Sequence, residues 1–185
     1  MVGNKDFVNN AIQIRRRKAQ ARGIWINTLF RAVVFAIFVM IVFTFILGVK
    51  TVETTDMYPA IRAGDTVFYY RLGNISNQDI VLYEKDGQIR TGRVAATEGT
   101  PVNRTEGGLL MINGNIQPKS ERSGIFYKTE IRRNGKLKYP SRVPKGYYLI
   151  LGDNRKDATD SRAFGYVSRD EIKGKLFTIM RRTIL

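Results

Sequence analysis

The sequence contains neither cysteine nor histidine. The absence of cysteine excludes a disulfide framework and thiol chemistry. The absence of histidine excludes a Ser-His-Asp triad, and without either residue no structural zinc site is expected. The composition therefore predicts no metal and no cofactor. A nucleophilic enzyme built from these residues would need a lysine or a carboxylate as its base.

Acidic residues are scarce, since 16 of them accompany 31 lysines and arginines and the formal net charge is +15. Seven of the cations lie among the first 31 residues, together with one acid. The remaining excess is spread along the chain rather than gathered in a stripe. This distribution favours contact with lipid headgroups, and we predict no nucleic-acid partner.

One long apolar run is present, the uncharged stretch AVVFAIFVMIVFTFILGV at residues 32–49. As a helix it would be about 27 Å long, close to the hydrocarbon thickness of a bilayer. It lacks the polar face of a core helix and the small-residue cleavage site of a signal peptide. We predict a transmembrane helix at 32–49. The RRRK cluster in the basic segment 1–31 predicts a cytoplasmic N-terminus in the plasma membrane.

Residues 50–185 show short β-branched and aromatic runs separated by Gly, Asn, Asp and Pro. This pattern predicts a mostly β extracytoplasmic domain, folded as an antiparallel sandwich or barrel. Asn113-Gly114 and Asn134-Gly135 are predicted hairpin turns. The basic stretch 119–139 is predicted as a solvated surface loop. The predicted strands begin near Thr66, Asp79, Leu109, Gly146 and Lys175.

Three turn-rich stretches follow in order behind the apolar run: TTDMYPAIRAGD at 54–65, GRVAATEGTPV at 92–102 and GDNRKDATDSRAFGYV at 152–167. Together they resemble the type I signal peptidases, in the short form typical of Gram-positive bacteria. The third stretch is the most specific, because its GDNR…DSR…FG pattern is long and irregular. The resemblance implies a signal-peptidase-like β domain and a Ser/Lys dyad, in which a neutral lysine takes the proton of the serine.

The resemblance also implies that this dyad is absent. Asp56 stands where the family has its nucleophilic serine, and Gly92 stands where it has the lysine. Ala158 stands where a serine orients that lysine. Thr54 retains the oxyanion-hole hydroxyl. Other motif positions are retained as scaffold: Arg93, Gly152, Asp153, Asn154, Arg155, Asp160, Ser161 and Arg162.

The sequence leaves open a peptidase mechanism that uses other catalytic residues. An aspartyl mechanism needs a second carboxylate beside Asp56, from Asp153 or Asp160. Against this, Asp160 is expected to pair with Arg162. Asp56 itself is expected either to fill the oxyanion hole or to pair with Arg93.

A relocated dyad is the other chemical alternative. It would use Ser161 as nucleophile with Lys85 or Lys156 as base. Both lysines are flanked by charged residues and are predicted to be solvated.

A family groove that holds substrate as an extended strand can persist without catalysis. Its predicted apolar rim consists of Met57, Tyr58, Pro59 and Ile61. The nearest resemblance is to the SipA-type signal-peptidase-like proteins of streptococcal pilus assembly, which implies pilin subunits and a sortase as partners. The favoured hypothesis is therefore a non-catalytic pilus assembly factor or chaperone. An active signal peptidase with altered catalytic residues and a surface scaffold with a vestigial groove are the alternatives.

Overall fold

The protein is described by a computed structural model over residues 24–117, 129–132 and 134–181. The chain divides into two compact units, Met1–Phe45 and Ile46–Leu185. The first contains most of an apolar helix, and the second contains all of the described strands.

The helix α1 spans Ile24–Ile46, and its last five residues, Val42–Ile46, are π-helical. Its large apolar side chains are exposed, and none of the 18-residue apolar window is buried within the protein. The length and composition fit a single-pass membrane anchor. The helix bounds differ from the predicted 32–49, because the helix already includes Ile24 and the chain turns to a strand at Leu47.

The second unit is mostly β, as predicted. All of its strand pairs are antiparallel, and they form a seven-stranded and a four-stranded sheet. The described strands are β1 Leu47–Thr51, β2 Thr66–Tyr70, β3 Ile80–Lys85, β4 Gln88–Ala96, β5 Pro101–Arg104, β6 Leu110–Ile112, β7 Asn115–Ile116, β8 Ser141–Arg142, β9 Tyr147–Leu151, β10 Val167–Ser168 and β11 Ile172–Met180. A one-turn helix, α2, spans Ser161–Phe164.

The large sheet has the order β1-β2-β11-β3-β4-β9-β10, and the small sheet has the order β7-β6-β5-β8. Alternating side chains of the central strands form the core: Val81, Tyr83 and Val94 pack with Ile150 on one side of the large sheet. Leu82 packs with residues of the loop that follows β1. This arrangement places β4 beside both the first and the third motif stretch.

All five predicted strands are confirmed, but the nine-residue strand β4 was missed. Gly92 and the TEGTP sequence make the second motif stretch turn-rich, yet its first five residues belong to β4. The small residues of β4 instead lie under large neighbours, since an ideal Cβ on Gly92 would be 2.4 Å from Cγ2 of Ile150. A glycine inside a strand here marks close packing rather than a turn.

The Asn113-Gly114 turn is confirmed: both residues have positive φ, 50° and 77°, and Ile112 pairs with Asn115 across it. The Asn134-Gly135 hairpin is wrong, because no strand flanks it within the described residues. A Cβ on Gly135 would lie 1.9 Å from the carbonyl oxygen of Arg162. Glycine is required there for close approach of two backbones.

The basic stretch 119–139 lies partly outside the described residues. In its described part Arg132, Lys136 and Lys138 are exposed, as predicted for a solvated loop, whereas Thr129 and Leu137 are buried. Arg155 donates to the Thr129 hydroxyl at 2.9 Å, and Arg162 donates to the carbonyl of Glu130 at 3.2 Å. These contacts attach the stretch to the third motif.

The third motif is held by a buried ion pair between Asp160 and Arg162, which confirms the expected pairing. The guanidinium donates to both carboxylate oxygens, at 2.9 and 2.8 Å. The same carboxylate caps α2 through the amide of Arg162 and accepts the amide of Gly152 at 3.1 Å. The Asp160 carboxylate thus accepts hydrogen bonds from the backbone amide of Gly152 and from the N-terminal turn of α2.

We expect Asp160→Asn to lower the free energy of unfolding by about 3–5 kcal/mol, because the buried Arg162 charge loses its partner. Denaturant unfolding of the full chain measures this. Glu84→Gln is the matched control, since its ion pair with Lys173 is 37–42 % exposed, and it should change the stability by no more than about 1 kcal/mol. Equal losses in the two variants would contradict the structural role of Asp160.

Candidate functional site

The first and third motif stretches are joined through their backbones. The amide of Asn154 donates to the carbonyl of Asp56 at 2.9 Å, and its side-chain amide reaches the carbonyl of Thr55 at 3.4 Å. The amide of Asp153 points at the Met57 sulfur at 3.4 Å. The two loops therefore pack directly against each other, and Asp56 lies where they meet.

Gly152 and Ala158 explain how the loops approach so closely. A Cβ on Gly152 would lie 2.4 Å from Cβ of Ala158 and 2.5 Å from the carbonyl oxygen of Asp56. Ala158 is itself 1 % exposed. Only small side chains fit at this contact.

Asp56 is 6 % exposed, and both of its carboxylate oxygens are occupied. One accepts the guanidinium of Arg90 at 3.1 Å, and the other accepts the amide of Thr159 at 3.0 Å. The expected pairing of Asp56 with Arg93 is wrong. Arg93 forms a two-point ion pair with Asp153, at 3.0 and 2.8 Å.

The strand β4 places Arg90 beside Asp56. Side chains two residues apart on a strand share a face, so Arg90 and Gly92 lie on the same side of β4. Opposite them on β3 lie Tyr83 and Val81 respectively. Tyr83 and Ile150 fill the space above Gly92, where a Cβ would approach them to 3.2 and 2.4 Å.

Tyr83 is fully buried, and its hydroxyl has no hydrogen-bond partner among the described residues. Burial raises the pKa of this phenol, and the nearby carboxylates of Asp160 and Asp56 raise it further. The side chain is consequently neutral at physiological pH. It can fill space or donate a hydrogen bond, but it cannot act as a base.

Each carboxylate near the centre has its own arginine: Asp56 with Arg90, Asp153 with Arg93, and Asp160 with Arg162. An aspartic-protease dyad needs two carboxylates that share one proton. Among the described hydrogen bonds of this region, none joins two carboxylates. The geometry does not supply that dyad.

The relocated Ser/Lys dyad is not assembled either. Ser161 is fully buried, and its hydroxyl oxygen accepts the amide of Ile150 at 2.9 Å. Lys85 was predicted to be solvated, but it forms a 2.7 Å ion pair with Glu171. Burial alone would raise the pKa of Glu171, yet hydrogen bonds from Lys85 and Ser168 outweigh it and hold that pKa below its ordinary value. Lys156 is exposed, as predicted.

The predicted apolar rim divides into two pairs. Met57 and Ile61 are completely buried and belong to the core, so they offer no surface and their prediction as groove contacts is wrong. Tyr58 is 52 % exposed, and Pro59 is exposed beside it. The turn at 56–60 directs Met57 inward and the two following side chains, Tyr58 and Pro59, outward.

An unpaired backbone edge runs along the first half of β4. Val94 exchanges backbone hydrogen bonds with the residues just before β3, so it faces β3. By alternation, Ile89 and Thr91 direct their amides and carbonyls to the other side. The pairing with β9 on that side begins only at Arg93, so no strand covers Ile89 and Thr91 in the described chain.

The end of β1 presents a second such edge. Val52 exchanges backbone hydrogen bonds with the residues just before β2, so Thr51 and Glu53 face away from β2. In the described chain β1 pairs with β2 alone. Residues 50–53 and 89–91 line one cavity of about 10 Å³, which holds about one water. The hydroxyl of Thr91, which lines this cavity, and that of Thr54 are buried and have no hydrogen-bond partner within the described part of the chain.

A sequence profile described as "Signal peptidase, peptidase S26" matches residues 24–181. The chain belongs to this signal peptidase family. The family assignment agrees with the order of the three motif stretches and covers both the apolar helix and the β domain.

Among relatives in the signal peptidase family, "Signal peptidase IB" of Staphylococcus aureus is 29 % identical over 169 residues, covering 82 % of this chain and 85 % of the relative. "Inactive signal peptidase IA" of the same species is 24 % identical over 144 residues, covering 76 % and 82 %. A crystal structure of a signal peptidase I from Enterococcus faecalis is 25 % identical, with a TM-score of 0.44, and covers 57 % of this chain and 98 % of that one.

Arg90 and Tyr83 lie outside the three motif stretches, so the signal peptidase pattern does not predict their part in the site. Strand alternation would have found Arg90, which is two residues before Gly92 on the same face. The contact of Thr159 with Asp56 is made by a backbone amide, and no side-chain motif reports it.

The Asp56–Arg90 pair should show strong coupling in a double-mutant cycle. We expect Asp56→Asn and Arg90→Gln each to destabilise the fold, and the double variant to be less destabilised than the sum by about 0.5–3 kcal/mol. Thermal or denaturant unfolding of the four proteins measures the coupling. Additive losses would mean that the ion pair does not hold the site together.

Proposed function

We propose that this signal peptidase homologue is a non-catalytic, membrane-anchored protein that holds an extended peptide segment. The observation that carries the proposal is the Asp56–Arg90 ion pair. It occupies the centre, while the backbone edges beside it stay unpaired. Both carboxylate oxygens of Asp56 are engaged in hydrogen bonds. The backbone groups of β1 and β4 that could pair with a peptide have no strand partner among the described residues.

The proposed loss of catalysis follows from the residues at the catalytic positions. Peptide cleavage by this family requires a serine nucleophile and a neutral lysine, and the aligned positions hold Asp56 and Gly92. Arg90 supplies a cation in their place, but a guanidinium stays protonated and cannot act as a base. A relative named "Inactive signal peptidase IA" supports the view that the family includes inactive members.

The proposed ligand is a peptide in extended conformation. Main-chain groups at Thr51, Glu53, Ile89 and Thr91 offer hydrogen bonds to an added strand, which is the usual mode of β-augmentation. The hydroxyls of Thr54 and Thr91 are buried in the free protein without partners among the described residues, and under the proposal they gain partners when the peptide enters. Tyr58 and Pro59 provide exposed apolar contact next to Asp56.

The cellular role we infer is assistance in pilus polymerisation, with pilin subunits as ligand and a sortase as fellow component. The resemblance to SipA-type proteins supports this role. In the same proposal the basic N-terminus is cytoplasmic and the β domain is extracellular, following the positive-inside bias. The ligand is then a segment that has already crossed the membrane.

A restoration series tests the loss of catalysis. We expect the wild type to leave a fluorogenic signal-peptide substrate uncut under conditions where an authentic signal peptidase cleaves it. Asp56→Ser/Gly92→Lys/Ala158→Ser should also stay inactive, because the lysine Cβ would lie about 2.4 Å from Ile150. Adding Ile150→Ala makes room for the side chain, and slight cleavage should appear. The nearby Arg90 charge favours the neutral lysine that the reaction needs.

Two results of that series would contradict the proposal. Cleavage by the wild type that disappears in Asp56→Ala would show an altered but active centre. Full activity of the triple variant without Ile150→Ala would show that Tyr83 and Ile150 do not close the lysine position.

The groove is tested by Thr91→Val, which removes an unpartnered hydroxyl while preserving the shape of the side chain. We expect the free protein to become more stable by about 1 kcal/mol, since a buried unpaired polar group is lost. We expect pilus polymer ladders in the producing cell to weaken at the same time. Thr178→Val is the control, because Thr178 is an exposed strand threonine away from the groove. An unchanged ladder in Thr91→Val would favour a vestigial groove.

A further inference from the structure

The cation excess of the β domain is concentrated in residues 99–146, and the predicted even spread is wrong. This segment carries ten lysines and arginines against three acids, whereas residues 50–98 carry six cations against seven acids. Part of the segment lies against the third motif, because Arg162 donates to the carbonyl of Glu130 and Lys136 donates its amide to the carbonyl of Ala163. The most basic segment of the β domain therefore borders the candidate site.

Arg132 lies over the turn of the third motif that contacts Asp56. The Nη2 atom of its guanidinium donates to the carbonyls of Lys156 and Ala158, at 3.2 and 3.0 Å. The carbonyl of Ala158 and the amide of Thr159 belong to one peptide group, and that amide donates to Asp56 at 3.0 Å. The Arg132 nitrogen and the Asp56 oxygen are therefore at most about 9 Å apart across this peptide group.

Four exposed cations occupy this border, and we name them the basic rim: Arg132, Lys136, Lys138 and Lys156. None of the four forms an ion pair with a described residue. Two exposed acids, Glu130 and Asp157, lie in the same segments and likewise have no ion pair in the described chain. The basic rim thus keeps an excess of positive charge that no described carboxylate neutralises.

The unpaired edge of β4 ends beside the third motif. The pairing of β4 with β9 stops at Arg93 and Leu151, where β9 ends and the third motif begins. A peptide strand paired with Ile89 and Thr91 would continue the line that β9 leaves at this point. The end of the peptide nearest Arg93 would then meet the third motif and, across the turn at 156–159, the basic rim.

We propose that the peptide segment held in the groove is acidic at the end that meets the third motif, where its carboxylates bind the basic rim. An arginine can offer a carboxylate two parallel N–H donors. Nε and Nη1 of Arg132 have no acceptor in the described chain, so they are available for this contact. The inference rests on the proposed peptide-holding function and names the chemistry of its ligand.

A polyphosphate or another polyanion fits the basic rim less well than an acidic peptide does. Such a polymer has no backbone amides for the unpaired edges of β1 and β4. Its closely spaced charges would also meet Glu130 and Asp157, which are exposed among the cations. Carboxylates at every second residue of a peptide strand are about 7 Å apart, and this spacing leaves room for the two acids.

Three synthetic peptides test the ligand chemistry. They share apolar residues at alternate positions and carry Glu, Gln or Lys at the positions between. Their affinities for the full-length protein, held in nanodiscs of uncharged lipid, are measured by fluorescence anisotropy. At low salt we expect the Glu peptide to bind about fivefold more tightly than the Gln peptide, and the Lys peptide to bind most weakly. The preference should shrink at about 0.5 M salt, because the charges are exposed and therefore screened.

The variant Arg132→Gln/Lys156→Gln tests whether the basic rim causes this preference. The glutamine at 132 retains an N–H donor for the carbonyl of Ala158. We expect the preference for Glu over Gln to fall below about twofold, while the affinity for the Gln peptide stays unchanged. Lys145→Gln is the matched control, because Lys145 is also exposed but precedes β9, at the end of that strand opposite the third motif. It should keep the full preference.

Equal binding of the three peptides by the wild type would overturn this inference and leave the peptide-holding function standing. If no peptide binds, both are overturned. An equal loss of preference in Lys145→Gln would overturn the assignment to the basic rim, since overall charge alone would then explain it. Tighter binding of inorganic polyphosphate than of the Glu peptide, lost in Arg132→Gln/Lys156→Gln, would overturn it in favour of a polyanion. Intact unfolding transitions confirm that each variant remains folded.

Discussion

The ion pair between Asp56 and Arg90 connects the parts of the chain on which the site depends. Asp56 belongs to the loop after β1, Arg90 belongs to β4, and the amide of Thr159 brings in the third motif. A nearly buried carboxylate is tolerated only when a partner and hydrogen bonds compensate its desolvation. The pair therefore fixes the relative positions of three segments that are distant in sequence.

Much of the fold follows from local pattern. The alternating runs at β2, β3, β9 and β11 identify strands, and the Asn113-Gly114 turn follows from its need for positive φ. The strand β4 did not follow, since Thr91 and Gly92 weaken its local pattern. Its conformation is imposed by β3 and β9 on either side and by Tyr83 and Ile150 above it. Tertiary packing outweighs propensity at such positions.

The sequence predicts which residues lie at the site better than it predicts which of them contact one another. The Asp160–Arg162 pair follows from two complementary charges near each other in sequence. The partner of Asp56 does not, because Arg90 and Arg93 lie on opposite faces of β4 and only the sheet decides which faces Asp56. Met57 and Ile61 likewise belong to the core, where they pack in one cluster with Val67 and Leu82. An apolar residue beside a motif can face either way.

In the proposed function, loss of the catalytic groups is compatible with retention of a peptide edge, because the side chains and the backbone groups of a strand point in different directions. On β4, Arg90 and Gly92 face the side of the sheet on which Tyr83 lies, and the resemblance places the family's lysine at position 92. The amides and carbonyls of Ile89 and Thr91 point within the sheet plane, where a peptide pairs. Under this proposal, the Asp56–Arg90 ion pair changes the side-chain face of β4 and leaves the backbone edge at Ile89 and Thr91 unchanged. The same backbone could then hold an extended peptide without cutting it.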